Sequence, residues 1–173
     1  MKRKLSVRDT VFIGLLSAMC VLATTIKVPF GTGAMVHLGT AMLYTIGIVF
    51  GGVYAGLAGA IGSAFFDLLM GFSPYTIWSF FIKGGAGLVV GVLAKGWWPE
   101  SGLRGGFGWV RMVAACLAAA LWTLAGYFAA WWGVTGSQAV AIANIPSSLL
   151  TSGAGIVIAM LLAPRIRVYL ARK

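Results

Sequence analysis

Few side chains in this sequence could do chemistry. Asp9, Asp67 and Glu100 are its only acids, and His37 its only histidine. One lysine, Lys83, stands inside the apolar run "TIWSFFIKGGAGLVVGVL", with no charged neighbour in the sequence. A charge at such a depth in a bilayer costs about 3 kcal/mol on insertion scales. Three readings account for it: a structural ion pair with Asp67, snorkelling of the ammonium to outer headgroups, or direct contact with a substrate. Catalysis has few parts to draw on. The sequence has no GxxxxGK[ST] phosphate loop, no His/Cys/Glu grouping at metal spacing and no nucleophile–base arrangement. Cys20 and Cys116 both fall inside apolar runs and read as small apolar fillers. What remains is binding.

The elements that must position these residues are membrane helices. Only 9% of the 173 residues are charged and 60% are hydrophobic, with mean hydropathy +0.97. A soluble domain carries about 25% charged residues. The apolar runs are long, continuous and Gly/Ala-rich, which excludes the short alternating strands of a barrel. The expected fold is an all-α integral membrane domain of six transmembrane helices spanning the whole chain, 1–173. The spans fall at about 10–26, 36–50, 53–71, 77–94, 109–132 and 139–163. The second is short. The basic N-terminus followed by an apolar run is read as the first span and not as a cleaved signal peptide.

The formal charge of +10 does not indicate nucleic acid, because it is concentrated at span ends. Lys2, Arg3, Lys4, Arg8, Lys95, Arg104, Arg111, Arg165, Arg167, Arg172 and Lys173 all fall on one side if both termini are cytoplasmic, leaving Lys27 outside. The positive-inside rule therefore sets both termini in the cytoplasm, with lipid as the surrounding partner.

With that orientation, His37, Asp67, Lys83, Trp131, Trp132, Asn144, Ser147 and Ser148 lie at one outer depth. Thr76, Ser79 and Lys83 share a helix face, as do Asn144, Ser148 and Thr151. Pro146 is expected to interrupt the last span and free the carbonyl of Ile142. Gly52, Gly56, Gly59, Ser63 and Asp67 form a small-residue stripe that permits close helix approach. Polar groups and aromatics converging in apolar surroundings are what a small-molecule pocket needs. Individually, His37 could be interfacial, the tryptophans an aromatic belt and Asn144 a backbone partner. The segment "KVPFGTGAMVHLG", 27–39, reads as a lid over the pocket or an ordinary outer loop.

The stretches "MVHLGTAMLY", "FGGVYAGLAGAIGSAFFDLLMG", "SPYTIWSFFIKGGAGLVVG" and "NIPSSLLTSGAG" resemble the substrate-binding S component of energy-coupling factor (ECF) vitamin transporters. The nearest subgroup is that of riboflavin, hydroxymethylpyrimidine and pyridoxine carriers. The resemblance implies a six-helix subunit in a prokaryotic cell membrane that takes a vitamin from outside. It implies a scaffold transmembrane subunit and two cytoplasmic ATPases as partners. ATP and magnesium belong to those ATPases, and this chain binds no cofactor. It also implies that the subunit topples to carry its pocket inward, and that Gly14 and Ala18 in "GLLSA" contact the scaffold. Met35, His37, Trp78, Ser79, Lys83, Trp131, Asn144 and Ser148 are the substrate-binding candidates. Asp67 is assigned structure first, as the partner of Lys83. Thiamine carriers of this family place an acid in span four, and none is present here.

The function expected is vitamin capture, with pyridoxine or hydroxymethylpyrimidine first and riboflavin or cobalamin also possible. A small membrane enzyme is disfavoured by the scarcity of acid–base groups. A channel-like facilitator is disfavoured because the inner halves of the spans lack polar lining.

Overall fold

A computed structural model describes residues 5–30, 34–99 and 108–171. Its first helix, α1 (Val7–Thr25), starts at a capping box: Asp9 N–H donates to Ser6 Oγ and the Ser6 N–H donates to the Asp9 carboxylate. These bonds satisfy amides that the first turn would otherwise leave unpaired. α1 is followed by an antiparallel hairpin, β1 (Lys27–Phe30) and β2 (Ala34–His37), in register Lys27↔His37 through Phe30↔Ala34. The segment expected to be a loop is therefore mostly a paired ribbon. Pairing satisfies its backbone groups, which hydrocarbon would not.

α2 (Gly39–Phe50) begins three residues later than the expected span. Its twelve residues reach about 18 Å, against about 30 Å of bilayer hydrocarbon. All but Met42 and Phe50 are buried, so α2 is the central post of the bundle. The other helices are α3 (Gly52–Leu69), α4 (Thr76–Ala94), α5 (Trp109–Thr135), α6 (Gln138–Ala143) and α7 (Ile145–Ala171), with a 3-10 turn at Ser73–Tyr75 ahead of α4. Among the described residues, five helical stretches are long and apolar enough to cross a membrane. Their exposed faces carry residues such as Val11, Leu22, Phe81, Leu121 and Val157, as lipid contact requires.

Two departures concern the last span. It is not one helix from 139 to 163: α6 ends at Ala143, and α7 runs on to Ala171. The interruption expected at Pro146 is present, as a break at Asn144 between two helices and not as a bend within one: Pro146 lies in the first turn of α7, where a missing N–H is harmless. The proline inside the helix is Pro164. The turn that closes α5 uses Gly136 at φ 68°, whose N–H bonds the Trp132 carbonyl at 2.8 Å.

α3 and α4 pack almost backbone to backbone. A Cβ on Gly87 would stand 2.3 Å from the Ala55 carbonyl oxygen, and one on Gly91 would stand 2.4 Å from the Gly52 nitrogen. Only glycine fits, and the contact fixes Asp67 on α3 relative to Lys83 on α4.

At the end of the bundle where α1 begins and α7 finishes, the described residues are tied together. Tyr54 OH donates to the Asp9 carboxylate. The rings of Phe12, Phe50 and Tyr54 pack together at centroid distances of 5.2 to 6.3 Å. Arg167 Nη2 donates to the Ile48 carbonyl at 2.5 Å.

Candidate functional site

At the opposite end, where α1, α3 and α5 finish and α4 and α7 begin, lies a cavity of about 100 Å³. Thr24 of α1 reaches it, with Met35 and His37 of β2 and Ser63, Phe66 and Asp67 of α3. Phe72 and Tyr75 come from the turn, and Ser79 and Lys83 from α4. α5 supplies Thr123, Tyr127 and Trp131, and α7 supplies Ser147, Ser148, Thr151 and Ser152.

Lys83 is 4% exposed and Asp67 8%. Lys83 Nζ donates to Thr40 Oγ1 of α2 at 2.9 Å and stands 5.4 Å from the Tyr127 ring centroid, a cation–π distance. Tyr127 OH and Ser79 Oγ are hydrogen-bonded at 3.1 Å. Asp67 Oδ2 is buried without a hydrogen-bond partner. The direct Asp67–Lys83 ion pair expected from the sequence is therefore corrected: the lysine is bonded to Thr40, and the two charges share one cavity without joining.

His37 is half-buried and accepts a hydrogen bond at Nδ1 from the Gly39 N–H at 3.1 Å. That bond leaves the proton on Nε2. Burial, with the charges of Lys83 and Lys27 nearby, lowers its pKa to about 3, so the imidazole is neutral at physiological pH. Several hydroxyls spend their own protons on helix carbonyls: Thr24 on Cys20 at 2.7 Å, Thr123 on Ala119 at 2.8 Å and Ser147 on Asn144 at 2.9 Å. Their oxygens remain as acceptors. Thr151 Oγ1 donates to the Met35 carbonyl at 3.4 Å, tying the hairpin to α7. The Tyr75 and Trp131 rings lie 4.8 Å apart.

Of the eight substrate-binding candidates, six come together here: Met35, His37, Ser79, Lys83, Trp131 and Ser148. Trp78 does not line the cavity; it is 39% exposed, and its ring lies beside Gly133. Asn144 does not line it either; its Nδ2 bonds the Val140 carbonyl at 2.9 Å, at the α6–α7 break. Trp132 points away, 49% exposed against Phe128. Thr123 and Tyr127 were missed, although they precede Trp131 at successive four-residue intervals. Gly14 and Ala18 lie on the exposed side of α1, and nothing stands within 4 Å of a Cβ built on Gly14. No group of three or more metal-ligating side chains occurs among the described residues.

A helical membrane bundle with an aromatic, hydroxyl-lined cavity at one end narrows the family, and the comparison decides it. The family model for the ECF-type riboflavin transporter S component matches residues 4–168. The chain belongs to that family. ECF S components are membrane-embedded substrate-binding subunits of transporters, not enzymes. A relative of different description is an uncharacterised protein from the gap 3′ region of Pyrococcus woesei, 29% identical over 80 residues, or 46% of this chain. The chain spans about half the length of that curated relative, 53%.

Proposed function

We propose that this chain captures a water-soluble, planar heteroaromatic vitamin from outside a prokaryotic plasma membrane. It hands the vitamin to the cytoplasm with an ECF module made of a scaffold subunit and two ATPases. The observation that carries the reading is the cavity itself: aromatic walls from Phe66, Tyr75, Tyr127 and Trp131, with hydroxyl acceptors, one cation and one anion between them. Aromatic faces favour a flat ring, and the polar groups orient it. At about 100 Å³ the cavity is small beside the roughly 300–1,000 Å³ of typical pockets for drug-sized ligands, which supports a single-ring ligand. Pyridoxine and hydroxymethylpyrimidine therefore come first.

Riboflavin is the second reading, favoured by the description of the matching family. The hairpin would have to move to admit its three rings. Titration calorimetry on the purified chain with pyridoxine, hydroxymethylpyrimidine and riboflavin tests both. Tight binding of a single-ring vitamin is the expected result. Tight binding of riboflavin alone replaces the first reading with the second, and binding of none overturns the function.

A further inference from the structure

The two charges of the cavity are held apart, each in a definite state of satisfaction. Lys83 spends one N–H on Thr40 and is braced by the Tyr127 ring, so up to two ammonium donors remain. Asp67, more than nine-tenths buried, has Oδ2 without a partner. A carboxylate oxygen out of water with no donor is costly, and a lysine with spare donors beside the same cavity is its natural complement. The fold nevertheless holds them apart, with the tight α3–α4 contact fixing one helix and Thr40 of α2 holding the ammonium.

We infer that Asp67 and Lys83 form a split pair that reads the donor–acceptor edge of a net-neutral heteroaromatic ring. An N–H of the ring or of its amino substituent donates to Asp67, and a ring nitrogen or a ring-bound oxygen accepts from Lys83. Among the lining residues one anion and one cation cancel, and His37 is neutral with Nδ1 already bonded. A phosphorylated form of the ligand would bring about two negative charges, more than the one further cation at the wall, Lys27, whose Nζ stands 4.9 Å from the Phe66 ring centroid, can balance. This inference rests on the vitamin-binding reading and specifies its chemistry: a ring that is zwitterionic or carries adjacent donor and acceptor, as 3-hydroxypyridines and the imide edge of flavins do.

The test is a ligand-by-variant matrix on the purified full chain in detergent. Wild type is titrated with pyridoxine, pyridoxine 5′-phosphate, 3-deoxypyridoxine and the carbocyclic analogue lacking the ring nitrogen. If riboflavin is the vitamin bound, N3-methylriboflavin replaces the carbocycle. The same ligands are then applied to Asp67→Asn and Lys83→Gln. Asp67→Asn is expected to weaken the parent vitamin at least tenfold, about 1.4 kcal/mol, and the analogue lacking the ring donor by less than twofold. Lys83→Gln should weaken the parent by a similar factor and the deoxy analogue by less than twofold. Wild type should bind the phosphate ester at least a hundredfold more weakly than the alcohol, a comparison that needs no variant to fold. A vitamin bound by wild type with both analogues and the phosphate ester within twofold of the parent overturns the split pair and leaves the vitamin reading standing. Absence of binding by every vitamin overturns both.

Discussion

Lys83 Nζ donates to Thr40 Oγ1 at 2.9 Å, joining the short central helix α2 to α4 at the edge of the cavity. The bond gives the buried ammonium an uncharged acceptor and fixes its position. Thr40→Val keeps the shape and removes that acceptor. Hydrogen bonds to charged groups are worth about 1.5–3 kcal/mol. Thr40→Val should lower the unfolding free energy by about that amount, read as a lower melting temperature in detergent, and should weaken ligand binding as the lysine relaxes. An unchanged melting temperature would show that water or another group replaces Thr40 at no cost.

The glycine contact between α3 and α4 predicts a contrast. Gly87→Ala places a methyl group against the Ala55 backbone, and overpacking of this kind costs about 1–3 kcal/mol or more. Gly153→Ala meets nothing within 4 Å and removes a flexible residue from α7, for a gain of about 0.5–1 kcal/mol. Melting temperatures of the two variants should move in opposite directions. Equal shifts would mean that the helices are not in close contact.

His37 predicts an acid-sensitive stability. Its folded pKa lies near 3, below the ordinary value of 6.5. Above pH 6.5 both folded and unfolded chains hold it neutral, and its contribution is fully present. Between pH 6.5 and 3 only the unfolded chain takes up the proton, so stability falls with pH, by at most about 1.4 kcal/mol per unit. His37→Asn, which keeps an acceptor in place of Nδ1, should flatten the melting curve between pH 7 and 5. A wild-type profile identical to that of the variant in this range would remove His37 as the cause.

The exposed flank of α1 predicts an assembly phenotype without a folding one. Leucines at Gly14 and Ala18 have room in the isolated chain. The double variant should keep its melting temperature and vitamin affinity yet fail to co-purify with the scaffold subunit. Undiminished co-purification would place the contact on another face.

Much of the fold was legible because lipid makes charge and polarity rare. Lys83, Asp67 and His37 each stood out, and span direction alone set them at one depth. The boundaries of α2 and α7 were less legible. Pro146 signals a break in sequence whether it opens a helix or bends one, and only the Asn144 turn distinguishes these. Trp78 was misplaced because depth was weighed above angle: it precedes Ser79 by one residue, and neighbours along a helix face different ways. Thr123 and Tyr127 went unremarked because each is ordinary within a span. Their shared spacing with Trp131 was the available signal. The hairpin was not legible, since "KVPFGTGAMVHLG" is short and its pairing is apparent only in three dimensions.

The end of the bundle away from the cavity is tied together by Tyr54 on Asp9 and by Arg167 on the Ile48 carbonyl. Every residue that lines the cavity lies toward the other end, so a bound ligand is expected to leave by the mouth through which it entered.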